Sequence, residues 1–175
     1  GATPEVFSTF TPYPGSRSGV TLATGTVDVG TGRPSIVTAP GPGEPARIRT
    51  FRYDLYTPTE AARARGGTTD PGRDPAMTAE FDAYDPAYTG GVSLATGWVA
   101  GAEGGAQSVI TGQLTGPGEV RVWSTGSRLD GGPAMYLHSP EHHAAMTEFA
   151  QIASFTPFPG QAGVRVATSS TTTGA

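Results

Sequence analysis

The sequence predicts an all-β chain built as a single array of stacked, four-stranded antiparallel units, and three observations carry that expectation. The stretch Gly91-Val92-Ser93-Leu94-Ala95-Thr96-Gly97 occurs almost unchanged as Gly19-Val20-Thr21-Leu22-Ala23-Thr24-Gly25 and again as Gly163-Val164-Arg165-Val166-Ala167-Thr168, 72 residues apart each time. The 26 Gly and 16 Pro of the 175 residues fall at recurring places between short Val/Ile/Leu/Thr segments, the signature of closely spaced turns. Four such segments fill each period. Self-similarity at a fixed period marks a unit that cannot bury its apolar face alone and stacks on its neighbours.

Each unit opens on an aromatic-proline lead, Phe10–Gly15, Phe81–Pro86 and Phe155–Gly160. Proline has no N–H for a ladder, so the lead is expected to end an edge strand and run into a turn. The repeated stretch follows as strand one, with Val92, Leu94 and Thr96 on one face and Ser93 and Ala95 on the other. Val20, Leu22 and Thr24 against Thr21 and Ala23 repeat the pattern. The small second face predicts close packing against a neighbour.

Strand two is expected at Ser35–Thr38 and Ser108–Thr111. The turns Gly41-Pro42-Gly43-Glu44 and Gly116-Pro117-Gly118-Glu119 come next, with Gly supplying positive φ and Pro presetting the corner. Strand three is Ala46–Tyr53, with Val120–Trp123 as its shorter copy; Arg alternates with apolar residues, so one face is wet. Strand four is Met77–Tyr84 and, in the second copy, Met146–Phe158. Pro4–Phe10 reads as the strand four of a preceding unit. The segments between strands three and four, Thr57–Pro75 and Ser124–Met146, are the least alike, and Glu60–Arg65 in the first suggests one helical turn. The boundaries are therefore 1–18, the end of a preceding unit; 19–90 and 91–162, two complete units; and 163–175, the first strand of a further one.

Composition excludes several function classes. A net charge of -4 and a pI near 5.3 leave no electrostatic footprint for nucleic acid. Without cysteine there is no disulfide, thiolate nucleophile or Cys-metal site. No apolar run reaches the ~18–20 residues of a membrane span. All 11 basic residues are Arg, and neither Lys nor Asn occurs.

Few residues suggest chemistry. His138, His142 and His143 cluster with Glu141, a donor set that suits a transition metal, but adjacent His142 and His143 point apart on most backbones and a solvated loop is the better reading. A Ser139/His142/Asp130 triad comes only from choosing freely, and there is no nucleophile elbow. Asp70, Asp74, Asp82 and Asp85 stand beside Pro or Gly, where Asp caps turns. No glycine run has the strand-to-helix setting of a phosphate cradle. Most of the aromatics Tyr13, Phe51, Tyr53, Tyr56, Tyr84, Tyr88, Trp98 and Trp123 are expected in packing between units; Tyr56, Tyr88 and Trp98 stand next to loops that suit a protein or sugar contact.

With its Gly-Val-x-Leu-Ala-Thr-Gly first strand, Ile36-Val37-Thr38 second strand, Gly-Pro-Gly turn and the joining pattern Tyr84–Val92, nearly the whole chain resembles the FG-GAP (VCBS-like, integrin-α-like) β-propeller repeats of bacterial extracytoplasmic proteins. The resemblance implies a propeller-like array of about two and a half blades, where closed propellers have about four to eight. Either a longer polypeptide or further copies of the repeat would complete it. FG-GAP-like blades usually carry an acidic calcium loop between strands one and two, and calcium takes about six to eight oxygen ligands. Here Thr26–Gly32 and Trp98–Gly105 hold one acid each, Asp28 and Glu103, and Ser169–Thr173 holds none. Both acids are expected to be solvated, the calcium loops degenerate, and the chain without cofactor or metal.

The expected function is a non-enzymatic structural or protein-binding scaffold, extracellular, at the cell surface or periplasmic. Its partners would be a protein or further copies of the repeat, with carbohydrate also compatible and nucleic acid not. The alternative is a domain or subunit of an extracytoplasmic enzyme, with polar groups at the equivalent strand-one positions Thr21, Ser93 and Arg165. No catalytic, cofactor or metal residue is assigned.

Overall fold

A computed structural model describes residues 9–28, 33–52, 75–99, 106–125 and 148–169. They form eight strands: β1 Val20–Gly25, β2 Ser35–Pro40, β3 Arg47–Arg52, β4 Ala76–Asp82, β5 Val92–Gly97, β6 Ser108–Gln113, β7 Val120–Ser124 and β8 Ala150–Phe155. These make two four-stranded antiparallel sheets, ordered β1-β2-β3-β4 and β5-β6-β7-β8. Each is a meander in which sequence neighbours are spatial neighbours. Among the described residues there is no helix, and so none long and apolar enough to cross a membrane. The helical turn expected at Glu60–Arg65 and most of Pro4–Phe10 lie outside the described residues.

The two sheets share their registers. Gly25 pairs with Ser35 as Gly97 pairs with Ser108, and Ile36 with Phe51 as Val109 with Trp123. Both third strands slip register against the fourth, between Thr50 and Phe51 and between Val122 and Trp123. A bulge there bends the strand as it leaves the sheet.

One apolar cluster spans both sheets. It joins Val37, Ala39 and Ile48 of the first to Val92, Leu94, Val109 and Trp123 of the second. Aromatic rings of the leads join the packing: Phe81, in β4, lies 4.8 Å from Trp123 and 4.9 Å from Phe149, and Phe10 lies 5.0 Å from Phe51.

Glycine enters and leaves each first strand for two different reasons. Gly19, Gly91 and Gly163 have φ of 78°, 83° and 74°, a conformation that a Cβ disfavours. At the far end, a Cβ on Gly25 would fall 2.6 Å from the Thr96 hydroxyl, and one on Gly97 would fall 2.7 Å from the Thr168 methyl. The next first strand needs that space.

Burial separates positions that the sequence makes alike. On β5, Val92 and Leu94 are buried against the first sheet; on β1, Val20 is 47% and Leu22 63% exposed. The expected strand at 163–168 is present as a segment lying on the second sheet but is not hydrogen-bonded into a sheet. β1 is held by β2 and β5 by β6; this segment has no such neighbour among the described residues.

Leu94→Ala should therefore cost about 2–5 kcal/mol, the range for a buried leucine, whereas Leu22→Ala, the same change at the equivalent site, should stay within about 0.5 kcal/mol. Urea unfolding of dilute protein measures both.

Candidate functional site

The side chains richest in chemistry gather where each aromatic lead crosses strand three. Tyr13 and Tyr84 occupy equivalent places in their leads, and Arg49 and Arg121 occupy equivalent places on β3 and β7. Each guanidinium lies 4.9 Å from the centre of its tyrosine ring, a cation–π contact. The Tyr13 hydroxyl lies 2.8 Å from the carbonyl oxygens of both Thr38 and Arg47, and Tyr84 donates to the Glu119 carbonyl at 2.9 Å. Burial pushes the Tyr13 phenol up to about 12 and raises Tyr84 as well.

Carboxylates complete both clusters. Arg49 Nε donates to Glu80 at 2.6 Å and Arg47 Nε to Asp82 at 3.1 Å. Arg121 grips Glu119 with two parallel bonds of 2.9 and 3.1 Å, and Ser154 donates to the same carboxylate at 2.6 Å. The Arg121 bonds, followed by that of Ser154, hold the Glu119 carboxyl below its ordinary value against the opposing effect of burial. Beside the first cluster opens a cleft of about 580 Å³ lined by Tyr13, Pro14, Pro40, Glu44, Arg47 and Arg49 among others. Both of its arginines are already committed to carboxylates of β4.

Asp28 differs from expectation. It is 6% exposed, and its Oδ2 accepts from Arg52 Nη1 at 3.0 Å. The end of β3 brings Arg52 to the loop after β1, and the guanidinium takes the place expected of water. Among the described residues no three His, Cys, Asp or Glu converge. A buried carboxylate engaged by a guanidinium does not fit a calcium ion, which takes several free oxygens.

The other candidates separate cleanly. Asp85 caps its turn, accepting from Ala87 N at 2.8 Å, while Asp82 instead ends β4 and pairs with Arg47. Tyr88 packs on Tyr84 with ring centres 5.2 Å apart and donates to Gly91 O at 2.8 Å; that is a packing role. Trp98 is 67% exposed. Of the strand-one trio, Thr21 is half-buried, Ser93 is buried with its hydroxyl accepting from Val166 N at 3.1 Å, and Arg165 is exposed. Tyr56, Asp70, Asp74, Glu103, Asp130, His138, Ser139, Glu141, His142 and His143 lie outside the described residues.

Sequence reasoning missed the Tyr–Arg clusters, although the recurrence of Tyr13 at Tyr84 and of Arg49 at Arg121 is visible in the repeat. No known protein family, curated protein or solved structure matches this chain.

The two tyrosines should weaken the fold at alkaline pH. The folded chain keeps phenolic protons that the unfolded chain releases near pH 10, so stability is intact below pH 10 and falls as pH climbs toward 12. Replacing both, Tyr13→Phe with Tyr84→Phe, should flatten that fall while costing about 1 kcal/mol per lost hydrogen bond at neutral pH. Glu119 acts at the other end: its lowered value gives stability present above pH 4.5 and lost as pH drops below it, and Glu119→Gln should blunt that loss. Urea midpoints across the pH range read both effects.

Proposed function

We propose that this chain is a non-enzymatic structural or protein-binding scaffold, an FG-GAP-like propeller segment of about two and a half blades within a larger extracytoplasmic or cell-surface assembly. One observation carries the proposal. Three polar side chains of the repeated strand join one unit to the next: Thr96 donates to Thr24 O and Thr168 to Thr96 O, both at 2.6 Å, and Ser93 accepts from Val166 N. Thr26 and Gln107 add two bonds between the sheets, at 2.9 and 2.7 Å. A repeated strand used in this way supports a rigid frame, and in such frames the segments that differ between repeats carry specificity. Here those segments are 57–75 and 124–146.

The same proposal gives Arg52 the part that calcium plays in FG-GAP-like blades, tying the loop after strand one to strand three of the first unit. Asp28→Asn leaves a partly buried guanidinium without its charge partner and should cost about 1–3 kcal/mol, less than a fully buried pair because Arg52 retains some solvent. Asp28→Asn with Arg52→Met should recover part of that loss. Chelator and added calcium should leave the wild-type melting temperature unchanged; a rise on adding calcium would count against the substitution of guanidinium for metal.

Replacing 57–75 with a short Gly-Ser loop tests the scaffold itself. The variant should keep its β-sheet circular dichroism and lose association with the native assembly in co-sedimentation. Loss of folding would make the segment structural, and turnover of a glycoside, ester or phosphodiester that depends on Arg165 would replace the scaffold with an enzyme.

A further inference from the structure

The leads of the first and second units close the same turn with different residues. Ser16 N donates to Tyr13 O at 3.2 Å, and Tyr88 N donates to Asp85 O at 2.8 Å, so Ser16 and Tyr88 hold matching places. The Tyr88 ring folds onto Tyr84, with ring centres 5.2 Å apart, and its hydroxyl donates to Gly91 O at 2.8 Å. The Ser16 hydroxyl instead turns back to that of Ser18, 2.9 Å away.

A second exchange accompanies the first. Pro40 pairs with Val20 as Gln113 pairs with Val92, but the Gln113 amide oxygen accepts from Glu119 N at 3.1 Å, and a proline ring has no such reach. Both differences are local to a unit: Tyr88 bonds to Gly91 and Thr115 of its own unit, and Gln113 to Glu119 of its own. Where the second unit carries a tyrosine and a glutamine, the first carries Ser16 and Pro40, and both of these line the cleft of about 580 Å³. That volume lies within the range of about 300–1,000 Å³ for ligand clefts.

The lining of the cleft limits what fits it. Tyr13 and three prolines, Pro14, Pro40 and Pro45, make up the apolar part. Most of the polar part is engaged, since Arg47 donates to Asp82, Arg49 to Glu80, and Ser16 faces Ser18. These two guanidinium groups and two carboxylates balance in charge. Glu44, whose carboxylate has no hydrogen-bond or ion-pair partner among the described residues, leaves one negative charge over. A sugar brings several hydroxyls, each of which needs an uncommitted partner. An aromatic ring needs few.

We propose that this cleft receives a tyrosine side chain of a partner protein, together with an adjacent basic residue that pairs with Glu44. This rests on the scaffold proposal, and it names partner chemistry at a place apart from 57–75 and 124–146. The second unit supplies the template for the contact, one tyrosine tilted on another at 61°, a geometry that aromatic pairs favour. Tyrosine also brings a large contact area on a side chain with little freedom to lose.

The full 175-residue chain, isotopically labelled and titrated with N-acetyl-tyrosyl-arginine amide, tests this through its amide NMR shifts. Gly15, Ser16 and Arg47 should move and saturate, and N-acetyl-alanyl-arginine amide should leave them in place. Glu44→Gln should weaken the tyrosyl peptide about two- to fivefold, the effect of losing an exposed charge pair. Ser16→Tyr, which places the chain's own ring where Tyr88 stands in the second unit, should abolish the shifts at Gly15 and Arg47. Four results would overturn the proposal: no movement of these amides at any soluble peptide concentration; equal movement with the alanyl peptide; undiminished binding to Ser16→Tyr; or movement with methyl glucoside and not with the tyrosyl peptide, which would make the cleft a carbohydrate site. If circular dichroism shows Ser16→Tyr unfolded, Glu44→Arg takes its place and should repel the peptide, with undiminished binding again the overturning result. Failure of the cleft leaves the scaffold proposal standing, because the loop-replacement test does not involve these residues.

Discussion

Close, face-to-face approach of successive first strands is the contact on which this structure depends. It demands opposite things of the two faces of one short strand. The face turned toward the preceding unit carries Val92, Leu94 and Thr96, which fill space and supply one hydroxyl. The other face carries Ser93, Ala95 and Gly97, which leave room and offer an acceptor. Alternation of side chains along a strand lets six residues meet both demands. Glycine at the end of the strand is therefore a packing residue, whereas glycine at its start is a turn residue.

Once the first strands are stacked, the remaining polar groups find partners nearby. The lead of each unit crosses strand three, so a tyrosine from one meets an arginine from the other, and the tyrosine hydroxyl bonds to backbone carbonyls. Carboxylates on neighbouring strands neutralise those arginines. Together these contacts make a frame whose ionisable groups are occupied with one another.

Much of this was legible in the sequence because the repeat let each element be read more than once. Strand one, the Gly-Pro turns and the packing of Phe51 and Trp123 follow from alternation, turn chemistry and recurrence, all local properties. The fate of Asp28 was not legible, since its partner Arg52 lies 24 residues away and reaches it only through the register of β2 on β3. The bulges after Thr50 and Val122 were equally hidden. A bulge is a property of two strands, and a pattern along one strand carries no trace of it.

The sequence by itself determined the unit: its length, its four strands, the two faces of its first strand and the glycines on either side. Each depends on steric and hydrophobic preferences that act within a few residues. Only the tertiary structure decided what each copy of the unit does. Leu22 and Leu94 occupy the same place in the same motif, yet one stands open and the other is buried. Burial is a relation between surfaces, so identical strands acquire different roles from what is stacked against them.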